Sequence, residues 1–423
     1  MINIIVHDTF EIKACTIKMK FKIVHTADIH FGMENYGFVD EKTGLHTRLI
    51  DFQRSFYFAI KKAIEINADC FIFAGDAYKN SHPTPTHQKI LLQCFSKLIE
   101  AQIPIVIVVG NHDYPGNDSK AHALDVFNFL KIHGCHVFDT PGVKTIETKS
   151  GKINIVGIPW PSKKHFISHS FATKHSQNLN SLVQDVKNFI NNCIYSINTQ
   201  YPSVLVGHVT VEGGTFSGSE RPVSIGKDPI FSVSDLRCDF FDYIALGHLH
   251  RFQNLNKKNG CPVIYSGSPE KIDFGEINDE KSFCIVDIDY DCKNNKKTSY
   301  ETIKTPSRPM YEIVFDETDK EKSIEMAEEE IKQLLVSHAI IKIMYIYNKE
   351  KIGTFDHLVD EVSSNCWFFA GINYKNMYEH KRISYDIDHI SLDIFDLVKN
   401  YSQHHESHKQ YIDYYIDIIN KYI

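Results

Sequence analysis

No stretch of the 423 residues approaches the roughly 20 consecutive apolar residues that a membrane-spanning helix requires. The first segment, MINIIVHDTFEIKACTIKMK, lacks the basic start and long apolar run of a secretory leader, so a cytoplasmic protein with no membrane partner is expected. The 10 cysteines include no C-x-x-C pair, which argues against a disulfide framework and a zinc finger and predicts reduced thiols. Positive charge is also scarce. With 46 Lys and Arg against 53 Asp and Glu, the formal net charge is -7, and no global basic field advertises nucleic acid. Phosphate chemistry is not thereby excluded, because an enzyme can hold its positive charge in metal ions or take it from a partner subunit. There is no internal repeat and no low-complexity segment.

What is present is an ordinary globular composition, 43% hydrophobic and 23% charged, in a chain long enough for two or three domains of about 150 residues each. Between residues 19 and 300, Val- and Ile-rich runs alternate with helical stretches. The runs are 21–28, 70–76, 103–113, 152–160, 202–210, 241–250, 261–270 and 283–289, and their apolar character predicts strands buried between helical layers. Helices are predicted near 47–67, 85–101, 119–133 and 178–197. The class is α/β, a sandwich of layers, and in such sheets the chemistry gathers at the carboxyl ends of the strands.

Residues 292–309, CKNNKKTSYETIKTPSRP, are polar, contain two prolines and read as a connector. The expected division is a main domain over 19–300, a small domain over 301–390 and a helical tail over 391–423. The small domain should hold a helix at 320–336 and a strand at 339–347, AIIKIMYIY. In the tail, Tyr411, Ile412, Tyr415, Ile416, Ile419 and Ile423 recur at three- and four-residue spacings, an amphipathic helix that either docks on its own domain or binds a partner. Residues 1–18 precede a second methionine, Met19, and are expected to be an extension outside the fold.

The strand ends carry the chemistry. FDYIALGHLH (241–250) closes an apolar run with two histidines one residue apart. Gly247 is expected to turn the backbone, and alternation along an extended segment predicts that His248 and His250 point the same way. Alone, they could be two surface histidines. The other strand ends supply Asp28 and His30, Gly75 and Asp76, Gly110-Asn111-His112-Asp113, and Gly207-His208. Singly, Asp76 could cap a helix, Asn111 could form a turn and His208 could be a satisfied core histidine. Together, Asp28, His30, Asp76, Asn111, His208, His248 and His250 aim two carboxylates, one amide and four imidazoles at one edge of one sheet. That arrangement has little structural purpose unless a cation neutralises and orders it.

Mixed imidazole and carboxylate ligands without thiolate suit Mn, Fe or Zn better than Mg or Ca. Seven groups are too many for one ion with an open position but fit two ions sharing a bridge, and Asp76, with two carboxylate oxygens, is the expected bridge. Two such ions, roughly 3.5–4 Å apart, activate water near neutral pH and clamp the oxygens of an in-line phosphoryl displacement. His112 is left over as a catalytic candidate that donates to a phosphate oxygen or protonates the leaving alkoxide, with Asp113 beside it to hold its tautomer.

As an ordered set over residues 21–250, D-x-H, G-D, G-N-H-D, G-H and G-H-x-H resemble the signature of the calcineurin-type metallophosphoesterases. The resemblance implies that Asp28, His30, Asp76 and His250 hold one metal, that Asp76, Asn111, His208 and His248 hold the other, and that His112 is catalytic without being a ligand. HTADIHFG (25–32), GHVTVEGGTFSGSERP (207–222) and YSGSPEKIDFGE (265–276) are similar, more narrowly, to the SbcD-type DNA exonuclease subunits, strongly over about 21–310 and weakly beyond. That family implies a layered metallophosphoesterase β-sandwich flanked by helices, a small α+β capping domain that contacts DNA, and C-terminal helices that bind an SbcC-type coiled-coil ATPase. It also implies two Mn2+ ions, 3'-5' exonuclease action on duplex ends, endonuclease action on single strands, and a homodimer within a heterotetramer. The superfamily scaffold serves small-molecule phosphodiesterases and protein phosphatases as well. A scaffold subunit that has lost the chemistry is a further reading, against which the presence of every expected ligand argues. One departure stands out: some members carry a histidine three residues after the bridging aspartate, where this chain has Lys79, which can meet a phosphate as a point charge.

Overall fold

The computed structural model describes residues 18–115, 121–162, 179–218, 228–257, 260–291, 297–316, 336–347 and 356–376. In chain order the elements are β1 (Lys18–Thr26), α1 (Thr47–Glu65), β2 (Cys70–Phe73), α2 (Pro85–Glu100), β3 (Ile105–Val108), α3 (Asp125–Phe129), β4 (Cys135–Phe138), β5 (Gly142–Thr148) and β6 (Gly151–Ile158). They continue with α4 (Leu179–Ser196), β7 (Ser203–His208), β8 (Thr210–Val211), β9 (Ile230–Phe231), β10 (Tyr243–Gly247), β11 (Gln253–Asn254), β12 (Val263–Tyr265), β13 (Ser282–Asp291) and β14 (Lys297–Lys304). A last group comprises β15 (Met310–Asp316), β16 (Ile340–Tyr347), α5 (Asp356–Asn365) and β17 (Phe368–Asn376).

One six-stranded sheet has the order β14-β13-β1-β2-β3-β4 and a second the order β11-β12-β10-β7-β6-β5. They pack face to face: Ile23, Ile72 and Val106 of the first meet Val204, Ala245 and Ile264 of the second in one buried layer. Helices α1 and α2 cover the outer face of the first sheet through Phe52, Phe56 and Phe95, and α4 covers the second through Val186 and Ile190. The layered α/β sandwich expected above is therefore what forms. Its central strands read as continuous apolar runs because both of their faces are covered.

The differences lie at the edges. The expected connector at 292–309 contains β14, which pairs antiparallel with β13, so a domain boundary at 300/301 would cut through a strand of the first sheet. The third sheet, β15-β16-β17, is parallel throughout and packs with α5 as a small separate layer. The helix expected over 119–133 is reduced to the single turn and a half of α3. Lys18 and Met19 already belong to β1, opposite Asp291 and Tyr290. Residues 1–17, nearly all of the helix expected at 320–336, and the 391–423 tail lie outside the described residues.

The seam between the sandwich and the small sheet is built from charge. Arg48 at the start of α1 is buried, with Nη1 3.1 Å from Asp51 Oδ2 and 3.7 Å from Glu270 Oε1. Glu270 also accepts from Ser55 Oγ at 2.8 Å and from Arg308 N at 3.0 Å. Arg308 donates to both oxygens of Asp51 at 2.5 and 2.6 Å, and its guanidinium sits 3.5 Å from the centroid of the Trp367 ring, which belongs to the small layer. Arg54, exposed, adds a third contact, Nη2 to Asp51 Oδ1 at 3.2 Å, so three arginines face two carboxylates where the chain leaves the sandwich.

His25, on β1, ties the two sheets: its Nδ1 lies 2.8 Å from Tyr243 Oη on β10, in the fully buried layer. Burial pushes this imidazole down to about 3, so the folded protein keeps it neutral where an unfolded chain would protonate it near pH 6.5. Stability should fall as pH drops through that window, by up to about 1.4 kcal/mol per pH unit from this residue. Replacing His25 by Gln should flatten the acid limb between about pH 6 and pH 4 in urea unfolding. An unchanged slope would mean that His25 titrates normally in the fold.

Candidate metal centre

Strands β1, β2 and β3 of the first sheet and β7 and β10 of the second all end at the same rim. The backbones cross there at close range: Asp28 N donates to Gly75 O at 2.9 Å, and His248 N reaches both oxygens of Asp28 at 3.0 and 3.1 Å. The donors therefore come from two sheets and not from the edge of one. Glycines set this convergence. A side chain at Gly247 would collide with the Ala74 carbonyl, and one at Gly110 with the Asp76 carboxylate.

Gly247 accordingly serves close approach and not the turn expected of it. The turn falls to His248, whose φ is 101°, and Asp28, His30 and Asp76 are left-handed as well, at 56°, 51° and 58°. Non-glycine residues in that region cost about 1–3 kcal/mol each and persist where their surroundings over-determine them. Strand alternation ends at Gly247, so His248 and His250 do not point together. The His248 ring lies against those of Trp160 and His208, centroids 5.0 and 5.4 Å away, whereas His250 Nε2 is 3.1 Å from His30 Nε2.

All seven expected donors converge. Asp28, His30 and His250 form one group whose donor atoms lie within 4.8 Å of one another. In the other, His208 Nε2 is 3.0 Å from Asn111 Oδ1 and 3.3 Å from Asp76 Oδ2, and His248 Nδ1 is 3.2 Å from Asn111 Oδ1. Asp76 stands between them: its Oδ2 is also 3.7 Å from His30 Nε2, while its Oδ1 accepts the His112 N–H at 2.9 Å.

The chemistry of the set fits divalent cations. His208 Nδ1 donates to Ala74 O at 2.7 Å and His250 Nδ1 to Glu276 Oε1 at 2.8 Å, so each neutral ring turns its Nε2 lone pair to the cluster, and on His208 a cation would displace the proton that the neighbouring carboxylates favour. Among the described residues, His30 Nδ1 and His248 Nε2 are buried without a hydrogen-bond partner, although His248 Nε2 lies 3.4 Å from Asp228 Oδ2. Burial pushes Asp28 up to about 6, and burial with the Asp76 charge pushes Asp113 up to about 7. Burial also resists charge on Asp76 and His208, but it is outweighed on Asp76 by His208, His112 and His30 together and on His208 by Asp76, Asp28 and the Ala74 carbonyl together. The Asp76 carboxyl is held well below its usual range and the His208 imidazole is pushed up to about 9. Burial holds His30 and His248 below the ordinary histidine range. Nitrogen and oxygen donors converging at a largely buried site are what a cation of mixed N/O preference takes up.

His112 stands at the edge of the cluster, its ring 4.8 Å from that of His30 and its Nδ1 2.7 Å from Lys79 O. The expected role of Asp113 is corrected here. Its carboxylate does not hold the His112 ring; it accepts the backbone N–H groups of Ala77, Tyr78 and Gly110 at 2.9, 3.2 and 3.1 Å. Asp113 thereby clamps the loop after β2 to the loop after β3, and the Lys79 carbonyl orients His112. Sequence reasoning missed Trp160, Asp228 and Glu276, which pack against or bond the histidines from outside. Only Glu276 had a signal, its place in the DFGE stretch.

The sequence profile of the calcineurin-like phosphoesterases matches residues 21–252, a span that holds all seven donors and His112. The chain is 29% identical over 314 residues to the SbcD subunit of the SbcCD nuclease from Staphylococcus epidermidis, covering 72% of this chain and 74% of that one. Among solved structures, a dimetal phosphatase from Danio rerio aligns at 12% identity and a TM-score of 0.39, over 67% of this chain and 99% of that one. A Thermus thermophilus protein, TT1561, aligns at 12% identity and 0.37, over 67% and 98%.

Proposed function

Because this chain belongs to the calcineurin-like phosphoesterase family, and so is a phosphoesterase, we propose that it cleaves DNA as the nuclease subunit of an SbcCD-type complex. The carrying observation for the chemistry is Asp76 Oδ2, 3.7 Å from His30 Nε2 and 3.3 Å from His208 Nε2, where one carboxylate can bridge two cations. Asp28, His30, Asp76 and His250 would hold one ion and Asp76, Asn111, His208 and His248 the other, and Mn2+ suits that donor set. Two bound ions would supply an activated water and neutralise phosphate charge.

The remaining work falls to the chain. His112, anchored by donation from Nδ1 to Lys79 O, has its Nε2 left to hold a proton for the departing oxygen. The Trp160 ring packs beside that of His248, centroids 5.0 Å apart, and helps fix its orientation. A nucleic-acid substrate is supported by the Staphylococcus relative, a nuclease subunit, and DNA by the resemblance of residues 25–32, 207–222 and 265–276 to the SbcD-type DNA exonuclease subunits. On the same reading, the β15–β17 layer caps the site against duplex DNA, residues 391–423 bind an SbcC-type ATPase, and two copies assemble with it.

The test incubates the purified chain with Mn2+ or Mg2+, offering a labelled linear duplex and a small aryl phosphodiester. Metal-dependent shortening of the duplex, from its 3' ends, is the expected result. Cleavage of the aryl ester with the duplex left intact, even beside an SbcC-type ATPase, would withdraw the DNA assignment and leave a phosphodiesterase.

A further inference from the structure

The histidines of the two donor groups are backed differently. His208 leans on a neutral group, the Ala74 carbonyl, at 2.7 Å. His250 leans on a buried ion pair. Glu276 Oε1 accepts from His250 Nδ1 at 2.8 Å, while Glu276 Oε2 accepts from Ile272 N at 2.9 Å and meets Lys281 Nζ at 2.8 Å. Lys281, 1% exposed, also donates to the His250 backbone carbonyl at 3.1 Å and to Ser268 Oγ at 2.9 Å. One Glu–Lys pair therefore grips both the ring and the backbone of a single histidine.

We propose that Glu276 and Lys281 are positioning residues that set the tautomer of His250, and with it the affinity of one metal ion, the one held by Asp28, His30 and His250, largely independently of the other. This rests on the metal-centre reading above. An ionised carboxylate only accepts, so the shared hydrogen must lie on His250 Nδ1, and Nε2 keeps the lone pair that a cation needs. Lys281 occupies the far oxygen of that carboxylate at 2.8 Å and leaves the near one to accept from the ring.

A glutamine at 276 cannot reproduce this. It has one oxygen, while the native side chain serves two donors at Oε2 and one at Oε1. The amide oxygen should therefore take the Oε2 side and turn its NH2 toward His250 Nδ1. That nitrogen must then accept, the ring proton moves to Nε2, and a protonated Nε2 cannot ligate a metal.

The experiment compares the full chain with Glu276→Gln in two measurements that involve no substrate. The first is 15N-histidine NMR of the metal-free proteins, with His250 assigned through the signal lost in His250→Asn. The second is Mn2+ titration by calorimetry. Wild type should show Nδ1–H at His250 and the variant Nε2–H, and the affinity of one of two Mn2+ ions should fall about 10- to 100-fold with the other nearly unchanged. An Nε2–H tautomer in wild type, two unaltered affinities, or an equal fall in both would overturn the proposal. If the variant does not fold, the wild-type tautomer decides by itself. Two-ion binding without DNA cleavage would sink the nuclease reading and leave this one standing, whereas a wild-type chain that binds no metal would remove both.

Discussion

Asp76→Asn should give a folded protein whose metal-dependent phosphoesterase activity is reduced about 10³-fold or more. An asparagine has one acceptor oxygen. If it stays where Oδ1 now accepts the His112 N–H, the NH2 faces His30 Nε2 and His208 Nε2, the two places where the anion was needed. Both donor groups then lose their shared negative charge, and a pair of N–H dipoles opposes any cation between them. The fold should survive because the substitution removes a buried charge while keeping the shape. Initial rates with Mn2+ on duplex DNA and on an aryl phosphodiester, beside a melting curve, check both halves. A folded variant with wild-type rates would sink the bridging role.

Arg48→Met should cost about 3–5 kcal/mol of folding stability, the penalty of leaving buried charge without its partner. Arg48 touches Asp51 and Glu270, and neither carboxylate has other than minimal solvent contact. Asp51 would keep Arg308 and Arg54, but among the described residues Glu270 would keep only Ser55 and backbone N–H groups. Exposed ion pairs are a useful contrast. Lys97 and Glu100, at 2.8 Å but 47% and 60% exposed, hold each other in water, and Lys97→Met should be almost silent. Urea unfolding of the two variants separates the cases. A loss at Arg48 no larger than at Lys97 would show that Arg308 and Arg54 balance the seam without it. The same variant should also loosen the small sheet, because Arg308 bonds Asp51 and stacks on Trp367.

The sandwich was legible in the sequence where strands are covered on both faces. Cys70–Phe73, Ile105–Val108 and Tyr243–Gly247 are apolar at nearly every position because every position is buried. β5 and β14 were not recognised, since both are edge strands with mostly exposed residues: GVKTIET drew no strand expectation, and KTSYETIK read as part of the connector. The donors were legible because each lies within a few residues of an apolar run. Their distribution over two sheets was not, because nothing local says which strands share a sheet. Asp113 was misjudged because adjacency in sequence suggested contact with His112, whereas its side chain turns inward to three backbone N–H groups. Glu276 is 26 residues from His250, and no spacing rule connects a carboxylate to an imidazole at that range.

The register of β1 bears on how the chain is made. This strand is central in the first sheet, yet one of its two partners is β13, with Lys18 opposite Asp291. A ribosome adding about 5–20 residues per second leaves that edge of β1 without its partner for roughly 15–55 s. Unpaired apolar edges invite pairing with other chains, and lysines on them discourage it. β1 reads KMKFKIVHT, and Lys20 and Lys22 fall at alternate positions along it. On completion the same two lysines meet Asp289 and Asp287, which stand directly across from them, at 3.4 and 2.5 Å. Charges that end as modest surface pairs would thus have done their main service earlier, guarding a nascent strand until its partner emerged.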